Sequence, residues 1–432
     1  MTLRTASMFV IMAVLLVLVG VFQSWSVAMG LLNMCLISAI LALGVNIQWG
    51  YAGLFSVGTM GFVALGGLAV VLTSMPPVHE AWEAGGLQVL GGLLVGLLAI
   101  IAAVQVYRRM QKGLARTATL GVVIVVGFVL FRAVFDPAVA RIEGTNTASA
   151  GYLGGLGLPV LFSWVVGGIL AAAAAWVIGK ISLGLRSDYL AIATLGIAET
   201  IVAVLKNEDW LSRGVRNVNG LPRPVPFEVE LQANPDFVAW SNWLGFSAVE
   251  GSSLFVKGCY ALIFVVVLAL IMWLSERAWK SPWGRMMRAI RDNETAARAM
   301  GKDVKKRHLQ VFILGSAVCG IAGAMLVTLD GLMTPGTYQP LRFTFLIWVM
   351  VIVGGSGNNW GAVMGGFLIW FLWVQVEPMG LWLIGNLTAT MPADSWLRGH
   401  LMESAAHMRL LTMGIILLLV LRFAPRGLIP ER

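Results

Sequence analysis

Leu262–Leu274, LIFVVVLALIMWL, followed closely by Ser281–Leu309, SPWGRMMRAIRDNETAARAMGKDVKKRHL, decides how this chain folds. The first run has no charge and no period-two alternation. In lipid every backbone N–H and C=O has to be paired inside the protein, which leaves helices or a closed barrel. Without alternation the run reads as a helix. The second run carries Arg285, Arg288, Arg291, Arg298, Lys302, Lys305, Lys306 and Arg307, and such a concentration marks a cytoplasmic loop. It also carries helix signals. Ser281 before Pro282 is an N-cap with proline in the first turn. Asp292 is placed to cap a second short helix, and Gly301 to close it in a left-handed turn. A capped helix projecting from a membrane gives a soluble partner something to push. The plainer reading is a charged connector that only fixes topology.

Composition extends this to the whole chain. Of 432 residues 58% are hydrophobic, 12% are charged and 50 are glycine, and mean hydropathy is +0.84. A soluble domain carries about 25% charged residues, so most of this chain belongs in lipid. Leu410–Leu421 repeats the non-alternating pattern. The net charge of +9 follows from Lys and Arg in cytoplasmic loops and gives no reason to expect a nucleic-acid partner. Cys35, Cys259 and Cys319 are scattered through apolar runs and form neither a disulfide framework nor a metal spacing. His79, His308, His400 and His407 are equally dispersed. No G-x-x-x-x-G-K-[ST] occurs, so the chain has no phosphate cradle of its own. No nucleophile–base or paired-carboxylate constellation lies at membrane depth, which argues against a membrane enzyme.

A crossing takes about twenty apolar residues. The expected spans are Met8–Trp25, Ala28–Trp49, Gly53–Thr73, Leu87–Tyr107, Ala118–Phe135, Val160–Gly179, Tyr189–Leu205, Val256–Ser275, Leu309–Leu329, Phe343–Val353, Trp360–Val376 and Arg409–Phe423. Arg4 before the first, and Ser26-Val27-Ala28 after it, have some features of a signal peptide. Its apolar run continues almost directly into the second, so it reads as a retained helix. The fold expected is all-α, a polytopic integral membrane helical bundle of about 10–12 spans with broken or short helices and both termini cytoplasmic. The chain is read as one transmembrane domain, 1–432. Within it 76–160 is an insertion with an extra span pair, 206–255 an outer loop and 276–308 the cytoplasmic coupling loop. Further outer loops are expected at 136–159 and 379–407, and Arg432 ends the chain inside.

Glu199 lies mid-span in YLAIATLGIAETIVAVL. A carboxylate at that depth is costly and faces the bundle interior or a wet cavity. The plainer reading is a hydrogen bond that locks two helices together. Gly50–Gly61, GYAGLFSVGTMG, and Gly354–Gly357 place glycines and hydroxyls at depth. Glycine allows close helix contact, and it also breaks helices so that backbone dipoles face a cavity. Ser56, Gly58, Gly61, Thr194, Glu199, Gly354 and Gly355 are therefore candidates for a translocation path, with plain close packing as the competing account.

Several spaced motifs carry a resemblance. Asp188–Gly196, DYLAIATLG, with Glu199, resembles the RGDYLAI-TLG--EI signature of LivM-type permeases, membrane subunits of branched-chain amino acid ABC importers. Gly284–Gly301 resembles that family's cytoplasmic loop. Asn219-Gly220-Leu221, Gly354–Gly357 with Trp360-Gly361, and Arg422–Leu428, RFAPRGL, resemble its outer-loop, penultimate and C-terminal motifs. There are departures. The loop motif Glu-Ala-Ala-x-x-x-Gly puts its glutamate at Thr295, whereas Glu294 stands one residue earlier. Arg216-Asn217-Val218 stands where the family has Gly-Gly-Pro.

The resemblance implies an importer half-channel in a bacterial inner membrane. It would pair with a LivH-like second permease, two cytoplasmic ABC ATPases and a periplasmic substrate-binding protein. The chain would bind no cofactor itself, ATP being used by the partner subunits. Asp292–Gly301 would be the coupling helix, with Glu294, Ala296 and Ala297 on it, and Arg285, Arg288 and Arg291 would hold it against headgroups or an acidic partner. Alternatives are a urea or short-amide ABC importer permease, a stand-alone secondary transporter that couples an ion near Glu199, and a purely structural subunit. The glycine-broken spans argue against the last.

Overall fold

The computed structural model describes residues 3–145, 151–389, 395–405 and 407–431. Of the expected loop and terminal positions, 146–150, 390–394, 406 and 432 lie outside the described residues. The chain is a helical membrane bundle. The first seven long helices are α1 (Leu3–Phe22), α2 (Trp25–Ala52), α3 (Thr59–Ser74), α4 (Leu87–Arg109), α5 (Leu114–Gly144), α6 (Val160–Ser182) and α7 (Ser187–Asn207). Then follow α8 (Ala248–Lys280), the short α9 (Pro282–Asp292) and α10 (Glu294–Ala299), α11 (Val304–Asp330), α12 (Pro340–Gly354), α13 (Asn359–Leu387) and α14 (Met408–Phe423). Among the described residues nine helices are long and apolar enough to cross a membrane, and Thr59–Ser74 and Pro340–Gly354 are shorter apolar ones. With the 16-residue α14 they correspond one to one with the expected spans.

Boundaries moved more than identities. Val256–Ser275 is the middle of a 33-residue helix, Ala248–Lys280. The segment expected to end at Val376 runs on to Leu387 with Pro378 inside it, so 379–387 is helix rather than loop. Proline removes one helical hydrogen bond, but α14 holds this part from the side, with Met408 packed against Gly380.

α2 and α11 form the centre. α2 is buried almost all round, with Ala39, Ile40, Ala42 and Leu43 wholly inaccessible, and a helix apolar on every face belongs inside. Its neighbours include α1, α8, α11, α12 and α13, while α11 also packs on α3 and α6. The approach of α3, α6 and α11 is set by glycine. A Cβ on Gly66 would sit 1.9 Å from the Gly320 carbonyl oxygen, and one on Gly320 would sit 2.5 Å from that of Gly167. Between helices in lipid, such small-residue seams supply the packing that the hydrophobic effect cannot.

Beyond the C-terminal end of α11 a two-stranded ribbon, β1 (Val218–Asn219) and β2 (Leu332–Met333), ties the 206–255 segment to that helix. Short helices at 209–212, 228–233 and 235–243 order that segment. α4 and α5 form a hairpin whose main contacts beyond itself are with 79–86 and 209–212. Its anchor is a cluster of Ala81, Val89, Ala138, Ile142, Leu153 and Trp210, plus the Trp82 indole N–H donating to the Leu153 carbonyl at 2.9 Å.

Candidate functional site

At the basic end, Ser281 caps α9 by accepting from the Gly284 N–H at 3.3 Å. Met287 and Ile290 are buried on its inner face. Tyr51, at the end of α2, lies beside Trp279 with ring centroids 4.4 Å apart. The expected cap of the second helix is displaced by one residue. Asp292 closes α9, and Asn293, with φ −154° and ψ 96°, is the N-cap of α10, accepting from the Ala296 N–H. One extended residue serves both helices, and that residue is the only one with cap geometry. Gly301 has φ +75°, and the Lys302 N–H returns to the Ala297 carbonyl at 3.1 Å, so the left-handed closure is present. Ala297 faces inward at 8% exposure. Asp292, Glu294, Ala296 and Arg298 face outward, with Glu294 and Arg298 paired.

The arginines divide their work. Arg285 is exposed. Arg288 lies over the Trp279 ring at 4.7 Å. Arg291 is not on an outer face: its Nη1 donates to the Gly50 carbonyl at 2.5 Å and meets Glu431 at 2.8 Å, while Nη2 meets the second Glu431 oxygen at 3.2 Å. Burial works against the Arg291 charge and the Glu431 carboxylate outweighs it, so its pKa lies above the ordinary value. This fork joins α9, the end of α2 and the C-terminal segment. That segment also docks through the Leu428 N–H to the Val353 carbonyl and the Ile429 N–H to the Gly354 carbonyl, each at 2.9 Å. Glu431→Gln is expected to cost about 1–3 kcal/mol and to speed trypsin cleavage after the already exposed Arg426. Unchanged cleavage at Arg426 and unchanged Tm would remove the clamp from the argument.

Beneath α10 is a cavity of about 200 Å³ whose lining includes Glu294, Arg298, His308, Gly53, Phe55 and Leu190. The short helix and the break between α2 and α3 line it together. That break, 53–58, is non-helical and held by its neighbours. The Val57 N–H donates to Thr194 Oγ1 at 3.0 Å. The Trp348 indole donates to the Ser56 carbonyl at 3.1 Å. A Cβ on Gly58 would lie 2.7 Å from the Thr194 carbonyl oxygen, and one on Gly61 would lie 2.9 Å from the Ala198 Cα. The structure therefore brings Ser56, Gly58, Gly61 and Thr194 together. The hydroxyls of Ser56 and Thr59 are buried there without a hydrogen-bond partner.

The remaining candidates lie elsewhere. Glu199 is exposed on the outer side of α7 and does not face the interior of this bundle, because α7 turns Leu190, Thr194, Ala198 and Val202 inward. Gly354 and Gly355 are buried and closely packed. A Cβ on Gly354 would meet the Gly361 carbonyl oxygen at 2.0 Å, and one on Gly355, with φ +119°, would meet that of Ile429 at 2.4 Å.

A polar network that the sequence reading passed over ties this end of the bundle together. Asn359 Oδ1 accepts from the Asn46 amide at 3.1 Å and from the Tyr51 hydroxyl at 2.8 Å, and its amide donates to Glu276 at 3.0 Å. The Gly357 N–H donates to Asn46 Oδ1 at 2.9 Å. Asn46, an amide side chain within a largely apolar span, was the available signal.

Fold and site together define a multi-pass helical membrane protein with a capped helix pair at its basic end, packed onto a break between two spans. Residues 142–421 match the family described as branched-chain amino acid transport system / permease component, and the chain belongs to that family. It is 28% identical over 207 residues to the high-affinity branched-chain amino acid transport system permease protein LivM of Escherichia coli, covering 47% of this chain and 48% of that protein. It is 26% identical over 268 residues to a "Probable branched-chain amino acid transport permease protein LivM" of Methanocaldococcus jannaschii, covering 61% and 67%. It is also 32% identical over 124 residues to that organism's "Probable branched-chain amino acid transport permease protein LivH", covering 29% and 38%. The chain thus spans about half the length of the E. coli relative. No solved structure matches it.

Proposed function

We propose that this chain is the membrane-spanning permease subunit of an ATP-driven importer that moves branched-chain, hydrophobic amino acids across a bacterial inner membrane. The observation that carries this reading is that α10 and the α2–α3 break line one cavity, with Glu294, Arg298 and Phe55 around it, and that Val57 of the break is bonded to Thr194 on α7. A cytoplasmic ATPase pressing on α10 would act on the α2–α3 break and on α7 through that arrangement, switching the path between outward- and inward-facing states. The orphaned hydroxyls of Ser56 and Thr59 give the break spare hydrogen-bonding capacity for a polar group in transit. ATP is hydrolysed on the partner subunits. A binding protein delivers substrate to the outer end.

The exposed face of α7 belongs in this account. It presents Ile192, Gly196, Glu199 and Ala203 along one side. A carboxylate at membrane depth needs protein or water beside it, and a second, LivH-like permease subunit against α7, with the path between them, would supply it. The test is affinity purification of the tagged chain from its native membrane. A second permease and two P-loop ATPases should accompany it, and the ligand of a co-encoded binding protein should name the substrate. A chain that emerges alone and transports under an ion gradient would defeat the reading. Glu199→Leu is expected to lower uptake roughly tenfold or more without changing the Tm of the isolated chain, because Glu199 makes no ion pair among the described residues. Wild-type uptake by this variant would remove Glu199 from the path.

A further inference from the structure

The α4–α5 hairpin has no part in that mechanism, yet it carries a groove of about 740 Å³, lined among others by Gly96, Ala99, Ala103, Tyr107, Leu120 and Phe128. We infer that this groove holds an acyl chain of an anionic phospholipid whose headgroup is bound by Arg108, Arg109, Lys112 and Arg116 at the hairpin tip.

The chemistry of the lining excludes a polar solute, since its thirteen residues carry no charge and only the Tyr107 hydroxyl as a polar side-chain group. The trough exists because small residues bring the helices together. A Cβ on Gly127 would lie 2.4 Å from that of Ala99, and one on Gly96 would lie 3.2 Å from the Phe131 ring. From Leu93 to Tyr107 the groove runs about 21 Å at 1.5 Å per residue. One leaflet of a hydrocarbon core is about 15 Å, so the groove accommodates a chain of leaflet length. Its open end reaches Tyr107, whose ring carries the Arg116 guanidinium at 4.8 Å, next to exposed Arg108, Arg109 and Lys112.

Charge decides what sits there. Between Glu83 and Asp136 the chain has no acidic residue, and none of the four cations is in an ion pair among the described residues. Four unneutralised cations at a membrane surface attract an anionic headgroup, and the apolar trough beginning beside them takes its chain. The hairpin is anchored at the opposite end, around Trp82, Leu153 and Trp210, so its tip is free to collect lipid.

The test is native mass spectrometry of the full-length chain released from nanodiscs of equal parts phosphatidylglycerol and phosphatidylcholine. Wild-type protein should retain phosphatidylglycerol preferentially. The combined Arg108→Gln, Arg109→Gln, Lys112→Gln and Arg116→Gln variant, altered only at the tip, should lose that preference by roughly tenfold or more. Gly96→Leu with Ala103→Leu, filling the trough, should release both lipids while the cations remain. Retention of phosphatidylglycerol by the tip variant at the wild-type ratio would overturn the inference. So would a filled trough that keeps its lipid but sheds a second permease subunit, which would make the groove a helix-docking surface instead.

Discussion

Ala296→Arg is expected to leave a folded, membrane-inserted chain that no longer holds an ATPase and no longer transports. Ala296 is exposed on α10, whereas Ala297, one residue on, is 8% exposed and packs inward. A long cation at 296 therefore displaces nothing within the chain. At the centre of a close-packed interface, such a group costs about 2–4 kcal/mol, roughly thirtyfold to several hundredfold in Kd. Ala297→Arg should also lose the ATPase, but by prising α10 from α11, so association and Tm would fall together. Gly301→Val lies between the two. Its φ of +75° strains any β-branched residue, although no atom stands within 4 Å of the added Cβ. The measurement is ATPase recovered per permease alongside Tm. Loss of ATPase at unchanged Tm for Ala296→Arg supports α10 as the coupling helix. Recovery at the wild-type ratio would return 276–308 to a charged connector.

Much of α9 and α10 was legible because caps are local. Ser281 with Pro282, and Gly301, work through their own backbone neighbours, and sequence shows neighbours. Asp292 and Asn293 could not be separated that way. Both side chains cap helices, and only the extended backbone at 293 decides. Arg291 was beyond reach for a different reason, since its partner Glu431 lies 140 residues away and nothing around either residue announces the other. The packing of Gly355 was hidden on the same ground, since Ile429, which presses on it, is distant in sequence.

The spans were legible because length and hydropathy alone decide whether a segment crosses lipid. Their orientation was not. In water a helix exposes its polar side, so periodicity reveals which face is buried. In lipid both faces are apolar. α7 shows this: Leu190 and Ala198 turn inward while Ile192 and Ala203 turn outward, and no pattern of polarity distinguishes the pairs. Glu199 was therefore recognisable as out of place without its direction being recognisable. The outward direction is the more informative, since a carboxylate at that depth calls for protein or water beside it.

Gly66→Val is expected to prevent the bundle from assembling. The Cβ it introduces would fall 1.9 Å from the Gly320 carbonyl oxygen. That is backbone in the middle of α11, and it cannot move without moving the helix. Gly320 is itself pressed against Gly167, and a Cβ on Gly323 would lie 2.1 Å from the Val63 carbonyl oxygen. Parting α3 from α11 therefore disturbs α6 as well. Overpacking a core with side chains costs about 1–3 kcal/mol. A backbone obstruction cannot relax by changing rotamer, so at least about 3 kcal/mol is expected here. Yield of monodisperse protein in detergent, and its Tm, are the readouts. The matched control is Gly196→Val on the exposed face of α7, where a Cβ meets nothing within 4 Å. That variant should fold as wild type and weaken only the pairing with a second permease subunit. If Gly66→Val purified with wild-type Tm, the seam would not be what holds α3 on α11. If both glycines behaved alike, the distinction between a glycine that lets helices meet within the chain and one that leaves a face open for a partner would fall.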